Sequence, residues 1–100
     1  MTRSQEIINK TAKVFGFTPE MMMRRDRTRD LAMARFTAWR IMCDNGMTHQ
    51  QVADIFGMNQ SAVAYGCKVT RQWEDARGNQ GNRLYYCALQ QAREEVEHGW

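Results

Sequence analysis

Arginine is the residue type in this chain whose number and spacing most clearly suggest chemistry. Eleven of the fourteen basic residues are arginines, and six of these lie between Arg24 and Arg40, with only Asp26 and Asp30 among them. A planar guanidinium group binds a phosphate or a guanine edge through two hydrogen bonds. The cluster therefore indicates a nucleic-acid partner, although composition alone leaves open a basic helix surface that only meets solvent.

The charge is also divided along the chain. Up to Arg83 there are thirteen basic and eight acidic residues, whereas the remainder has one arginine and three glutamates. The formal net charge of +3 therefore combines a basic region with an acidic final segment. The basic region contains the arginine cluster and is where a nucleic acid would bind, whereas only the final segment is acidic. This distribution argues against the alternative that the protein serves mainly as a protein-interaction adapter.

A second informative segment runs from Thr48 to about Asp75. Thr48 and Gln51 have the spacing of a capping box at the start of a helix, which is predicted to end at Gly57. Asn59 is placed to cap a further helix that begins at the next residue. Two helices joined by so short a turn predict a helix-turn-helix.

The spacing inside this segment has a physical reason. Ala53 is small enough for the two helices to approach, glycine suits a positive φ in the turn, and Val63 fills the angle between the helices. An ordinary pair of packed helices is the alternative. It leaves unexplained why the outer side of the second helix has no acid before Glu74 and carries Gln60, Ser61, Tyr65, Lys68 and Arg71.

Cysteine and histidine spacing gives no sign of a metal centre. Cys43, Cys67 and Cys87 are odd in number and form no C-x-x-C pair, and neither His49 nor His98 lies near a cysteine pair in the sequence. We therefore expect reduced, mostly buried thiols, without disulfides, metal or other cofactors. Motifs for nucleophilic or paired-carboxylate catalysis are also missing, so we do not expect an enzyme.

The rest of the chain predicts helices that would hold these segments in place. Three precede the helix-turn-helix: one from a cap at Ser4 to about Gly16, a short one from a cap at Thr18, and a long one from Arg29 or Asp30 to about Cys43. The long helix is apolar on two sides and should lie at the centre, with Trp39 in the core. The fold class is therefore an all-α bundle of about five to six helices.

A last helix is predicted from Arg83 to about His98, after a loop at 78–82. Its apolar stripe consists of Tyr85, Ala88, Leu89, Ala92 and Val96. We expect a DNA-binding domain over 1–76 and an additional helical segment over 77–100, which either packs on the domain or mediates a homodimer. The pattern does not place Trp73 or Trp100. Because the chain has neither a membrane-spanning apolar run nor a secretory leader, we expect a cytoplasmic, nucleoid-associated location.

Three motifs in the order seen here resemble a known family. V-F-G-F-T-P-E-M-M is followed by R-R-D-R-T-R-D-L-A-M-A-R and then by T-H-Q-Q-V-A-D-I-F-G-M-N-Q-S-A-V-A-Y-G-C-K. The stretch from about Ala12 to Lys68 thereby resembles the C-terminal DNA-binding domain of DnaA, the bacterial chromosomal replication initiator. The resemblance implies a Trp-repressor-like helical fold. No G-x-x-x-x-G-K-[ST] loop is present, so we do not expect the initiator's ATPase activity in this sequence.

The resemblance also implies two kinds of DNA contact. Arg29 matches an arginine that the family inserts into the minor groove, and the start of the second helix matches the part that reads the major groove. The family usually has Asp-His-Thr-Thr there, whereas this chain has Asn59-Gln60-Ser61-Ala62, so we expect a different target sequence. The predicted base-reading residues are Asn59, Gln60, Ser61, Ala64 and Arg29.

Other residues of the same segments are expected to contact phosphates, which provide affinity and register without sequence information. They are Arg24, Arg25, Arg27, Thr48, Tyr65, Lys68 and Arg71. Of these, Tyr65 has two alternatives: a phosphate contact if its ring is exposed and a core position if it is not.

The predicted function is sequence-specific binding of double-stranded DNA, as a bacterial or phage transcriptional regulator or as the DNA-binding module of one. A partner such as RNA polymerase, or another replication or transcription protein, would fit that role. The first alternative is an accessory or antagonist of replication initiation. An alternative of another class is a protein-interaction adapter that uses the C-terminal helix.

Overall fold

Six helices make up the described part of the chain. A computed structural model describes residues 2–24, 28–75 and 80–98, and no strand occurs within those ranges. The helices are α1 (Arg3–Phe15), α2 (Pro19–Met23), α3 (Arg29–Asp44), α4 (His49–Phe56), α5 (Gln60–Asp75) and α6 (Gln80–His98). The predicted all-α bundle of five to six helices is confirmed.

Side-chain caps and left-handed glycines set most of the helix ends. The Thr18 hydroxyl accepts a hydrogen bond from the Met21 N–H at the start of α2, as predicted. Gly16 ends α1 at a φ of 78°. The predicted cap at Ser4 is wrong, because α1 begins at Arg3 and Thr2 accepts the hydrogen bond from the Gln5 N–H. Either hydroxyl residue is a good cap, so a sequence with both near the start leaves the first turn undetermined.

Helix α3 lies at the centre of the bundle and contacts every other helix. Leu31, Ala34, Ala38 and Met42 are buried along one side of it, and Trp39 is 2% exposed on another. The prediction of a central helix with Trp39 in the core is therefore confirmed. Both helices of the helix-turn-helix, α4 and α5, contact α3, so α3 positions them.

Helices α3 and α5 approach each other closely at Gly66. A Cβ atom built on Gly66 would lie 2.7 Å from Phe36 Cδ1 and 2.7 Å from Trp39 Cε3, which is shorter than any real contact of that kind. Only glycine allows these two rings to lie against the α5 backbone. Gly66 is thus required for the packing that orients α5, a role that the sequence pattern does not reveal.

Two arginines of the Arg24–Arg40 cluster have structural roles. Arg35 is 5% exposed, and its Nε donates a 2.9 Å hydrogen bond to the Met22 carbonyl oxygen in α2. Arg40 joins α3 to α5 through a 2.6 Å contact with Glu74. Both guanidinium groups are therefore held within the bundle.

The Arg40 interaction belongs to a ring of four charges. Arg40 also pairs with Asp44 at 3.2 Å, and Arg93 of α6 pairs with Asp44 at 3.1 Å and with Glu74 at 3.3 Å. Burial lowers the pKa of Arg40, but Asp44 and Glu74 more than offset this and raise it above its ordinary value. The ring links α3, α5 and α6.

Helix α6 packs on α1, α5 and α3. Leu89, Ala92 and Val96 are buried in the same core as the other helices, and the Tyr85 ring stacks on Trp73 at a centroid distance of 5.3 Å. The predicted start at Arg83 is wrong, because α6 already begins at Gln80. Residues 81 and 82 are Gly and Asn, whose low helix propensity is only a weak guide to where a helix begins. Residues 78 and 79 of the predicted loop, the 76/77 boundary and Trp100 lie outside the described residues.

Candidate nucleic-acid interface

The turn between α4 and α5 is built by the residues that the sequence singled out. Thr48 and Gln51 form the capping box at the start of α4, with both hydrogen bonds present. Gly57 ends α4 in the left-handed conformation at a φ of 64°. Ala53 and Val63 are both fully buried where the helices cross. The predicted helix-turn-helix geometry is therefore present.

Asn59 starts α5. Its side-chain Oδ1 accepts a 2.8 Å hydrogen bond from the Ala62 N–H, as expected of an N-cap. This hydrogen bond occupies the amide oxygen and fixes the side chain against the helix end. The amide N–H₂ group remains available to a ligand, but contact with a base through both amide atoms would require the cap to open.

One side of α5 faces solvent along its whole length. Ser61, Tyr65, Lys68 and Gln72 are exposed at a spacing of three and four residues, which puts them on one helix face. Gln60 and Arg71 are exposed beside this row, and Ala64 is half-buried. Gln72 extends the face by one turn and was not among the predicted residues, although the same spacing would have found it.

The exposure of Tyr65 decides between the two positions raised by the sequence. Its side chain is 62% exposed, so it is not a core residue. One edge of the ring nevertheless leans on Phe36 of α3, at a centroid distance of 5.9 Å and an angle of 82°. The Tyr65 ring therefore contacts α3, while most of the side chain remains accessible to a ligand.

The start of α4 offers hydrogen-bond donors to an anion. Thr48 is exposed, and its hydroxyl oxygen accepts from the Gln51 N–H at 3.1 Å, which leaves the hydroxyl hydrogen free to donate. The first N–H groups of a helix lack intrahelical partners, and the helix dipole is positive at this end. A phosphate oxygen fits such a position.

Arg29 lies at the first position of α3 and is exposed. Its guanidinium carbon is 5.8 Å from the centroid of the Tyr85 ring in α6, within the range of a cation–π interaction. The Tyr85 hydroxyl in turn donates a 3.3 Å hydrogen bond to Asp30. Helix α6 therefore supports the first residue of α3, a contact between residues 56 positions apart that sequence patterns do not show.

Of the remaining predicted phosphate contacts, three come just before α3 in the sequence and two belong to α5. Arg24 is exposed at the end of α2. Arg25 and Arg27 lie outside the described residues. Within the described ranges, neither Lys68 nor Arg71 takes part in an ion pair, so both present their charge to solvent.

The cysteines lie in different environments from those expected. Cys87 is exposed, contrary to the prediction of mostly buried thiols, whereas Cys67 is buried and Cys43 half-buried. Burial raises the pKa of Cys67 to about 12 and also raises the pKa of Cys43. Although no histidine lies near a cysteine pair in the sequence, the fold brings the ligand atoms of Cys43, His49 and Cys67 within 4.8 Å of one another.

This geometry defines the class of protein: a helix-turn-helix DNA-binding domain within a helical bundle. Residues 4–69 match the family model described as the bacterial dnaA protein helix-turn-helix. Because the match spans well over half of the chain, the chain belongs to this family, and DNA is the class of partner that the domain implies. A search of curated proteins finds no match. Among the described helices, none is long and apolar enough to span a membrane.

Proposed function

We propose that this protein binds a specific double-stranded DNA sequence and acts as a transcriptional regulator of bacterial or phage origin. The observation that carries the proposal is the exposed face of α5, which carries no acid from Gln60 to Gln72, at the position of a recognition helix. In proteins of this class, the first residues of the recognition helix contact base edges in the major groove. Gln60 and Ser61 occupy those positions here.

The side chains at the start of α5 have the chemistry for base reading. Gln60 can form two hydrogen bonds with adenine, through its N6 and N7 atoms, and Ser61 can pair with several base edges. Ala64, one turn further on, offers a methyl group to the thymine methyl. Asn59 contributes less than these, since its amide oxygen is held by the Ala62 N–H.

Phosphate contacts on both sides of α5 would fix the register. Lys68 and Arg71 extend from the outer face of α5, Tyr65 projects beside them, and Thr48 lies at the start of α4. Arg24, Arg25 and Arg27 would continue this contact along the backbone. Each cation that neutralises a phosphate releases counterions, so affinity should fall steeply with salt.

Arg29 would enter the minor groove. Its exposed position, and a tyrosine ring that orients the guanidinium group without burying it, suit a residue that samples groove width. A narrow minor groove in A·T-rich DNA has an enhanced negative potential that attracts arginine. The predicted site therefore combines bases read by α5 with an adjoining A·T-rich step.

Membership of the DnaA family favours a second function, that of an accessory or antagonist of replication initiation. A domain of this type could occupy initiator sites. The motif that the protein selects distinguishes the two functions, because an antagonist must select the initiator's own sequence. The difference between Asn59-Gln60-Ser61-Ala62 and the usual family tetrapeptide favours the regulator.

An adapter that uses the C-terminal helix is the weaker proposal. Three residues of its apolar stripe, Leu89, Ala92 and Val96, are buried against the bundle. On the outer side of α6, Leu84 is 79% exposed and is the residue around which a homodimer contact would form. A contact with a partner such as RNA polymerase would also form around Leu84.

Selection from a pool of random duplexes, repeated at low and moderate salt, tests the proposal. We expect one enriched motif that survives the higher salt concentration. Absence of enrichment at any salt concentration would contradict sequence-specific binding. Recovery of the initiator's own sequence would favour the replication role instead.

A further inference from the structure

Three potential metal ligands from three helices meet beside the helix-turn-helix. Cys43 lies in the last turn of α3, His49 is the first residue of α4, and Cys67 lies in the middle of α5. Their ligand atoms all lie within 4.8 Å of one another. Cys43 and His49 are six residues apart on consecutive helices, and α5 brings Cys67 to them, so the grouping depends on the packing of three helices and not on a local motif.

The distance between the two sulfur atoms fits metal coordination better than a disulfide. Cys43 Sγ and Cys67 Sγ are 3.8 Å apart. Two zinc–sulfur bonds of about 2.3 Å that meet at a tetrahedral angle separate their sulfurs by about 3.8 Å. A disulfide requires about 2.0 Å, so the two sulfurs would have to approach considerably. Tetrahedral zinc would separate the imidazole nitrogen from each sulfur by about 3.6 Å, so the distances from His49 to the sulfurs, which are within 4.8 Å, would shorten by about 1.2 Å at most.

We propose that Cys43, His49 and Cys67 form a binding site for Zn²⁺. Two sulfurs and one imidazole are the ligand set that zinc prefers, whereas Mg²⁺ and Ca²⁺ require oxygen ligands. Cys43 and His49 are only half-buried, so solvent can reach the ion and supply a fourth ligand. Binding would connect the end of α3 and the start of α4 to the middle of α5.

A metal ion at this location would stabilise the packing of α4. Helix α4 has only eight residues and is held mainly by its contacts with α5 and α3. A metal bridge at its first residue would restrain the position of α4 relative to α5. Since a ligand that binds only the folded state stabilises that state, bound zinc should raise the melting temperature. This consequence does not depend on DNA binding.

A spectroscopic titration tests the proposal on the full chain. Reduced, metal-free protein is titrated with Co²⁺ as a probe for the zinc site, and Zn²⁺ is then added. We expect one Co²⁺ per chain, thiolate-to-cobalt absorption and tetrahedral cobalt bands that Zn²⁺ abolishes. Zinc should also raise the melting temperature of the wild-type protein.

Variants assign the ligands. His49→Gln and Cys43→Ser should each weaken Co²⁺ binding at least tenfold, and His49→Gln should leave helicity unchanged because the ring is half-buried at a helix start. Cys87→Ser is the matched control, since Cys87 is an exposed cysteine of α6, and it should bind Co²⁺ like the wild type. Cys67 belongs to the core, so its replacement can disturb folding. The Co²⁺ affinity of Cys67→Ala is therefore compared with that of the wild type only if the two proteins have the same helicity.

Three results would overturn the site. One is the absence of thiolate-to-cobalt absorption in the reduced wild-type protein. Another is a His49→Gln variant whose Co²⁺ affinity equals that of the wild type. The third is a reduced protein that takes up no metal but forms a Cys43–Cys67 disulfide under a mild oxidant, which would make the pair redox-active instead.

Discussion

Arg35 and Arg40 differ from Lys68 and Arg71 in what surrounds their charged groups. The first two are enclosed by the bundle, where Arg35 bonds to a carbonyl of α2 and Arg40 to carboxylates on α3 and α5. The second two extend from the outer face of α5 without an ion pair among the described residues. The basic residues thus divide into a group that stabilises the fold and a group that is available to contact phosphates.

This division shows why charge counts overstate a DNA-binding surface. An arginine whose donors are already used inside the protein gains little from a phosphate. The six arginines between Arg24 and Arg40 include at least two of this kind. The difference predicts opposite results for the two groups when stability and the salt dependence of DNA binding are measured on the same variants.

Replacement of Arg35 should have the largest effect on stability. In Arg35→Ala the Met22 carbonyl loses its donor and a void remains in the core, so we expect a loss of about 3 kcal/mol of unfolding free energy. Urea denaturation measures this change. The folded fraction should keep the wild-type salt dependence of DNA binding, and a reduced slope would place Arg35 in the DNA contact instead.

Arg40→Gln should cost about 1–2 kcal/mol of stability. The change removes one cation from the four-charge ring, but Arg93 still pairs with both Asp44 and Glu74. Thermal unfolding at low and high salt checks this, and the difference from wild type should shrink as salt screens the ring. We expect the slope of log DNA affinity against log salt concentration to be the same for the variant and the wild type.

Lys68→Ala and Arg71→Ala should show the opposite behaviour. Their unfolding free energies should stay within about 0.5 kcal/mol of the wild type, because both side chains are exposed. Each should lower the slope of log affinity against log salt by roughly one and weaken all DNA sequences alike. Asp75→Ala, an exposed acid in the last turn of α5, is the control that should not lower the slope.

The smallest effect is expected from Tyr85→Leu. The leucine keeps an apolar contact with Trp73 but removes the ring beneath Arg29, which is worth about 0.5–1 kcal/mol at an exposed site. We expect weaker binding to A·T-rich flanks with little change elsewhere in the site. Fluorescence anisotropy with duplexes that differ only in the flank measures this, and equal losses on all duplexes would indicate a general structural role.

Local patterns were sufficient for most of the fold. Hydroxyl caps, the capping box and the left-handed glycines depend on residues a few positions apart, and these predicted α2, α4 and the turn before α5. The start of α1 was misplaced by a choice between Thr2 and Ser4. The start of α6 was misplaced because the low helix propensity of the Gly and Asn at 81 and 82 is only a weak guide to where a helix begins.

The interactions that the sequence did not reveal all join distant positions. The need for Gly66 arises from two rings of α3, and the support of Arg29 comes from α6. The proximity of His49 to two cysteines likewise requires three helices to be packed. For the candidate DNA site, helix spacing predicted which side of α5 faces solvent, and the residue type at Asn59 predicted the cap that the structure shows.

The most direct test of base reading by α5 is to compare the motifs that the wild-type protein and Gln60→Ala select from the same random duplex pool. We expect the variant to lose sequence preference at one or two adjacent positions, a discrimination of about 1–3 kcal/mol, while the remainder of the motif is retained. An unchanged motif would show that the start of α5 does not read bases in the major groove.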